Sequence, residues 1–433
     1  MATDTTSKAQ QMSGLRIAVK DIFQIKGMPT SVCNKAYFDL YHDRPPPKTA
    51  ACIELLTNMG AAIVGTTKLA SFAATEEPVE CVDYQAPWNP RADGYQSPAG
   101  SSSCSGAAIG AYDWLDIAIG SDTSGSGRRP GHWNGCIAMR PTHGVLPYEG
   151  YFPSFRRFDM PTFSGRDLVS CQRFARLWYG QTLNPFKKSG FPTVIYPTDY
   201  MSTITNKAQL AIIDDFVHDL ETSLGIKHET VSFNELWSNC PPKAAGGMSL
   251  EGYMKDVCRN SFFFDDYHNF ESFRDEYTQR YGKQPYVSPP VRWQLHMSSK
   301  ITRAERDVAV KKLDIYKDWF LDVVMQRGKR DTLVLIPIEN IAPRYRDYPP
   351  LPPFNPVGVP NLFLSPILGA PELTIPIGTT PYDSKVTGRV ENLPVAISII
   401  GEPSRDIELF DIAYNCLEQA RRPTAVKVGY EMF

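Results

Sequence analysis

Serine and glycine crowd into two short stretches of this 433-residue chain. Residues 94–106 read Gly-Tyr-Gln-Ser-Pro-Ala-Gly-Ser-Ser-Ser-Cys-Ser-Gly, and residues 121–130 read Ser-Asp-Thr-Ser-Gly-Ser-Gly-Arg-Arg-Pro. Glycine lets a backbone approach a ligand closely, and consecutive N–H groups in a tight turn form an anion-binding nest. Two such loops flanking one helix–strand unit bring hydroxyls and backbone donors to the same sheet edge. A flexible linker has a similar composition, but the helical pattern at 104–113 and the apolar run at 116–120 argue for order. A phosphate loop of the Walker type needs Gly-Lys-Ser/Thr, and the chain has no such string at the required spacing. The Gly-x-Ser-x-Gly elbow is also missing, because Ser124 stands two before Ser126.

A serine nucleophile needs a proton acceptor. Of seven histidines, His132 and His143 follow the second loop and could lie near it, but ordinary loop or core roles suit them better. Lysine is the alternative base. Lys20 follows Ile17-Ala18-Val19 at the end of a strand-like run, which holds it near the core. Desolvation lowers a lysine pKa and leaves a neutral amine able to accept a proton.

The elements that must hold these residues follow from periodicity. Residues 15–21 read as a strand, 49–60 as a helix stopped at Gly60, and 61–65 as a buried strand. Strand, helix, strand is the pattern of an α/β layer protein. The stretch at about 180–330 reads as helical insertions. Within it, 305–326 places Val308, Ile315, Phe320 and Val323 near one helical face. Phe262-Phe263-Phe264 and Trp293 suit packing or a substrate wall. Strand-like runs return at 333–336, 373–376 and 395–400. A final helix at 407–420 carries Ile407, Phe410, Tyr414 and Leu417 on one stripe. The Pro-rich segment 348–360 reads as an ordered loop, since strands follow it. The expectation is a flexible lead at 1–14 and a single α/β domain at 15–433, its sheet assembled from both ends of the sequence.

Composition narrows the function. A formal charge of −2, from 45 basic and 47 acidic side chains, lacks the basic surplus of a phosphate-neutralising nucleic-acid binder. The nine cysteines show no zinc-ligand spacing and suit reduced thiols in a reducing compartment, so a cytoplasmic location is expected. Residues 1–14 hold no apolar run of the secretory type. Nothing approaches the ~20 apolar residues of a membrane span.

Four stretches together resemble the amidase signature family, serine hydrolases with a Ser–cis-Ser–Lys triad. They are Ile17-Ala18-Val19-Lys20-Asp21, Ser97-Pro98-Ala99-Gly100-Ser101-Ser102-Ser103, Gly120-Ser121-Asp122-Thr123-Ser124-Gly125-Ser126-Gly127-Arg128 and Met139-Arg140-Pro141-Thr142-His143-Gly144. Residues 392–401 echo the family's C-terminal part. The likeness covers about 15–170 and 332–420, and is nearest in look to fungal amidase-like and scytalone-dehydratase-like proteins. It implies a mixed central β-sheet between α-helices.

By the same resemblance, Ser126 is the acyl-forming nucleophile, Lys20 the base, and Ser102 the bridging serine after a cis peptide bond, 24 residues before Ser126. Ser101 and Ser103 are the alternatives for that bridge. Thr123, Ser124, Gly125 and Ser126 supply the oxyanion hole, with Ser103, Asp122 and Arg128 in support. This chemistry requires no metal or organic cofactor. The expected substrate is a small, apolar or aromatic amide. The rivals are an esterase or acyltransferase using the same acyl-enzyme, and a non-catalytic binding protein on the same scaffold. A glutaminase subunit of a tRNA amidotransferase is less favoured, as no feature points to that partner. A homodimer is left open. Two departures stand out: Gly100-Ser101-Ser102-Ser103-Cys104-Ser105 stands where the family usually reads Gly-Gly-Ser-Ser-Gly-Gly, with Ser and Cys in place of three glycines, and Ser124 replaces the first of two glycines before the nucleophile. Arg129 sits where the family is usually apolar, placing a charge for an acidic partner or substrate. Loop 73–83, with Glu76, Glu77 and Glu80, either lines the pocket or is simply solvated.

Overall fold

The computed structural model describes residues 10–180 and 192–433. Its strands are β1 (Arg16–Lys20), β2 (Ala62–Thr67), β3 (Ile117–Asp122), β4 (Ile137–Arg140), β5 (Met160–Gly165), β6 (Pro192–Pro197), β7 (Glu229–Val231), β8 (Asp331–Pro337), β9 (Glu372–Asp383) and β10 (Val390–Ile400). All ten lie in one sheet in the order β2-β1-β3-β5-β4-β9-β10-β8-β6-β7. Pairing is parallel at the two ends and antiparallel through the middle. The α/β sheet assembled from both ends of the sequence is therefore present.

Successive side chains of a strand face opposite sides, and the packing follows that rule. Leu333 and Leu335 belong to one apolar cluster, and Val334 and Ile336 to another. On β1, Ile17 and Val19 join the first cluster, while Ala18 packs with Ala108, Ile109 and Ala118 under the helix Ser103–Ala111. Lys20 shares the parity of Ala18. The alternation thus sends the lysine toward the helix that the serine-rich loop opens.

Several expected elements differ in detail. The run at 61–65 becomes β2 with an alternating burial pattern, because it is the outermost strand and pairs with β1 alone. The stretch at 180–330 is not wholly helical; it contributes β6 and β7 to the sheet. Its long helix, Arg303–Trp319, buries Ala309, Leu313, Tyr316 and Trp319 and leaves Val308 exposed, so the buried stripe is rotated by one residue. The last helix, Asp406–Gln419, buries Leu409, Phe410, Ala413, Cys416 and Leu417, with Ile407 and Tyr414 only half-buried. Of the expected lead, residues 1–9 lie outside the described residues. Residues 10–14 form a turn whose Met12 is buried and donates its N–H to Met59. All nine cysteines are free. Among the described residues, no helix is long and apolar enough to cross a membrane.

Candidate active site

Lys20 is fully buried, and its Nζ lies 2.8 Å from Ser101 Oγ, 2.9 Å from Ser102 Oγ and 2.8 Å from Ser121 Oγ. An ammonium has three N–H donors, and here three hydroxyl oxygens accept them. Burial is the main cause that lowers the Lys20 pKa to about 7, against the opposing pull of Asp122, Cys33 and Asp159. At neutral pH a large share of the amine is therefore unprotonated.

The two serines of the loop differ in their remaining contacts. Ser102 Oγ donates to the Ser121 carbonyl at 3.0 Å and accepts the Ser121 N–H at 3.2 Å. It sits over Gly120, where an added Cβ would meet Ser102 Oγ at 2.9 Å and Thr162 Oγ1 at 3.0 Å. Only glycine leaves room for that seat. Ser101 Oγ has Lys20 as its sole hydrogen-bond partner among the described residues. The cis peptide bond joins Gly100 to Ser101, one bond earlier than expected. Counting 24 residues back from Ser126 reaches Ser102, whereas the loop carries the cis bond one residue further upstream. Ser103 opens the helix Ser103–Ala111 and makes no hydrogen bond to Lys20 or Ser126.

Ser126 follows β3 in the second loop. Its carbonyl accepts the Ser102 N–H at 3.0 Å, which ties the two serine loops together. Its half-buried hydroxyl has no hydrogen-bond partner among the described residues and faces a cavity of about 260 Å³. The loop is shaped from behind by Asp122, which accepts the N–H groups of Gly125 at 2.9 Å and Gly127 at 3.0 Å. The same carboxylate accepts Arg128 Nε at 2.9 Å, Arg128 Nη2 at 2.8 Å and Arg140 Nη1 at 3.0 Å. Burial alone pushes the Asp122 pKa up, but these two guanidiniums outweigh it and hold the carboxyl well below its usual range. Arg128 also binds Glu372 at 2.6 Å and the Leu362 carbonyl at 2.8 Å.

Gly125 therefore spends its N–H on Asp122. The N–H groups of Thr123, Ser124 and Ser126 have no partner among the described residues. The Thr123 side chain donates to Asp159 at 2.6 Å.

Arg129 pairs with Glu339 at 2.6 Å, and both line the cavity. Of the acidic loop, Glu77 and Glu80 line the cavity, while Glu76 is buried among Ser71, Ser288 and Cys81. Another part of the lining is apolar, with Leu351, Pro352, Pro353, Phe354, Leu362 and Phe363. Phe262, Phe263 and Phe264 are buried, and Phe262 packs against Phe363, so the aromatic cluster backs this wall. A larger groove of about 710 Å³, between residues 91–93, the β9–β10 hairpin and the tail at 430–433, does not reach Ser126. The His132 ring is buried with no hydrogen-bond partner among the described residues, and the His143 ring binds the Arg156 carbonyl; neither ring is hydrogen-bonded to Lys20 or Ser126.

Sequence reasoning missed Ser121, Arg140, Glu372, Glu339 and Arg344. Ser121 was accessible in principle, since it is the next-to-last residue of β3, the strand beside that of Lys20 in a parallel register. The others are brought in from distant segments by pairing that no local pattern encodes.

Known proteins bear on this geometry. The amidase family model matches residues 2–228. The urea amidolyase of Saccharomyces cerevisiae is 34% identical over 166 residues, 38% of this chain and 8% of that protein. Amidase 1 of Arabidopsis thaliana is 32% identical over 188 residues, 43% of each chain. The matched part thus spans less than half the length of these relatives. A crystal structure of an amidase superposes with a TM-score of 0.71 at 22% identity, covering 96% of this chain and 86% of that one, which shows a shared fold. The family model lies over more than half of the 433 residues, and the chain belongs to the amidase family.

Proposed function

We propose that the protein hydrolyses the carbon–nitrogen bond of small amides through an acyl-enzyme on Ser126. The observation that carries this reading is the buried Lys20 amine, its pKa near 7, against the uncommitted Ser101 hydroxyl in the loop tied to Ser126. Neutral Lys20 takes the Ser101 proton as Ser101 takes that of Ser126. Ser126 Oγ bonds to the substrate carbonyl carbon. The oxyanion is met by the free N–H groups of Thr123, Ser124 and Ser126, each such donor lowering the barrier by roughly 3 kcal/mol. The proton returns through Ser101 to the leaving nitrogen, the C–N bond breaks and the amine departs. Water, deprotonated by the same relay, then releases the acid.

In this reading Ser101 bridges, and Ser102 anchors the loop, because the single Ser102 proton is spent on the Ser121 carbonyl. The apolar wall from Leu351 to Phe363 favours an apolar or aromatic body on the amide. A panel of small amides and esters on the protein and on Ser126→Ala tests the proposal. Turnover of amides, lost by at least about 10³-fold in the variant, with fluorophosphonate labelling mapped to Ser126, is the expected result. Undiminished turnover in Ser126→Ala would reject it.

A further inference from the structure

Five charged residues line the cavity beside Ser126: Glu77, Glu80, Arg129, Glu339 and Arg344. Four of them neutralise one another. Arg129 Nε lies 2.6 Å from Glu339 Oε1, and Trp133 Nε1 donates to Glu339 Oε2 at 2.6 Å. Arg344 reaches Glu339 at 3.8 Å and pairs closely with Glu77, which also accepts the Ser97 hydroxyl at 3.3 Å. Glu80 stands outside this chain of ion pairs. One of its oxygens accepts the Glu77 N–H at 2.8 Å, which fixes the carboxylate on its short turn. Among the described residues no cation pairs with it. When all three carboxylates are ionised, the two guanidiniums leave one surplus negative charge, and that charge resides on Glu80. Burial and then the neighbouring Glu76 push its carboxyl up to about 7, so a cation beside it is strongly favoured at higher pH.

We propose that Glu80 is a specificity-determining residue that receives an ammonium group carried by the amide substrate at a point remote from the scissile carbonyl. The apolar wall then packs the intervening chain, and the closed set of ion pairs offers no free guanidinium to a substrate carboxylate. This rests on the amidase reading above, and the test separates the two.

Pentanamide, 5-aminopentanamide and 4-carboxybutanamide are compared at pH 8.5, where Glu80 is ionised. The expected kcat/KM order is ammonium, neutral, carboxylate, with about a tenfold step between the first two, equivalent to about 1.4 kcal/mol. Glu80→Gln is expected to collapse the ammonium-to-neutral ratio at least fivefold, to roughly 1–2, and Glu80→Asp to retain part of it. Equal kcat/KM for the three amides in the unmodified protein, or a ratio that survives Glu80→Gln, overturns the proposal. If none of the three amides turns over, calorimetric binding to Ser126→Ala and to the Glu80→Gln, Ser126→Ala double variant decides between the two readings. The same affinity order, lost in the double variant, upholds Glu80 while the hydrolytic reading fails. Absence of binding or of any order overturns Glu80.

Discussion

Ser102 and Ser121 are locked together by a two-way contact: the Ser102 hydroxyl donates to the Ser121 carbonyl at 3.0 Å and accepts the Ser121 N–H at 3.2 Å. A hydroxyl has one proton. With that proton committed to β3, Ser102 has none to pass on, although it touches Lys20 as closely as Ser101 does. When Lys20 loses its proton, one of the three surrounding hydroxyls must turn and donate to the lone pair. Of the two loop serines, Ser101 is the one whose proton has no other taker among the described residues.

Ser101→Ala and Ser102→Ala are therefore expected to fail differently. Ser101→Ala should lower kcat by about 10³-fold or more while leaving the urea midpoint nearly unchanged. Ser102→Ala strips the partner from a buried backbone N–H and C=O, and should cost about 1–3 kcal/mol of stability with the smaller loss in kcat. Steady-state kinetics and urea unfolding on both variants check this. The opposite ranking in kcat would return the bridge to Ser102.

The Lys20 pKa gives two pH signatures. Activity should rise through about pH 7 as the amine becomes neutral. The folded value lies below the ordinary 10.5, so between about 7 and 10.5 the unfolded chain binds more protons than the folded one. The Lys20 contribution to stability therefore increases with pH across that window. Lys20→Met should abolish turnover and remove this slope, read as the difference in unfolding free energy between the two proteins from pH 6 to pH 10. A difference that stays flat over that range would place the pH response elsewhere.

Asp122 is expected to be a stability residue as much as a positioning one. Asp122→Asn leaves Arg128 and Arg140 buried beside a neutral amide, with Glu372 the remaining counter-charge of Arg128. Breaking such a buried pair costs roughly 3–5 kcal/mol. Because the folded pKa is depressed, the contribution is complete above the unfolded carboxyl value of about 3.9 and is lost as pH falls below it. The difference between the two proteins in urea unfolding should thus stay constant from pH 8 to pH 5.

How much of this was legible depends on how local the cause was. Lys20 at a strand end, the Ser-Gly loops and the helix between them are each set by periodicity and small residues over thirteen positions or fewer, and they were readable. The choice between Ser101 and Ser102 was not, because it turns on which hydroxyl the Ser121 backbone occupies, a contact between β3 and a loop about twenty residues away. Spacing from Ser126 pointed to Ser102, and the cis bond sits one residue before that. The pocket wall was less legible still. Glu339, Arg344 and Leu362 reach Ser126 only through the pairing of β8, β9 and β10 with the N-terminal half of the sheet. The extra strands β6 and β7 hid in a region whose aromatic and helical texture dominated its short apolar runs.

Gly125 couples the Ser126 loop to that wall, and its substitution separates two causes. Its φ is +119°, a region costly for any side chain, and an added Cβ would stand 2.7 Å from Leu362 Cδ1. Turning Cδ1 away gives only part of the relief, since Leu362 Cβ and Cγ would also stand 3.3 Å from the added Cβ and the Leu362 backbone is held by its carbonyl, which accepts Arg128 Nη2 at 2.8 Å. Gly125→Ala is expected to lower kcat/KM by about 10²-fold and stability by about 1–3 kcal/mol, the range for a residue held at an unfavourable backbone angle. The Gly125→Ala, Leu362→Ala pair removes the collision and keeps the backbone angle. Recovery of a tenfold part of kcat/KM in the pair, with stability still reduced, would assign the activity loss to Leu362 pressing on the loop. No recovery would assign it to the backbone turn that aims the Ser126 hydroxyl.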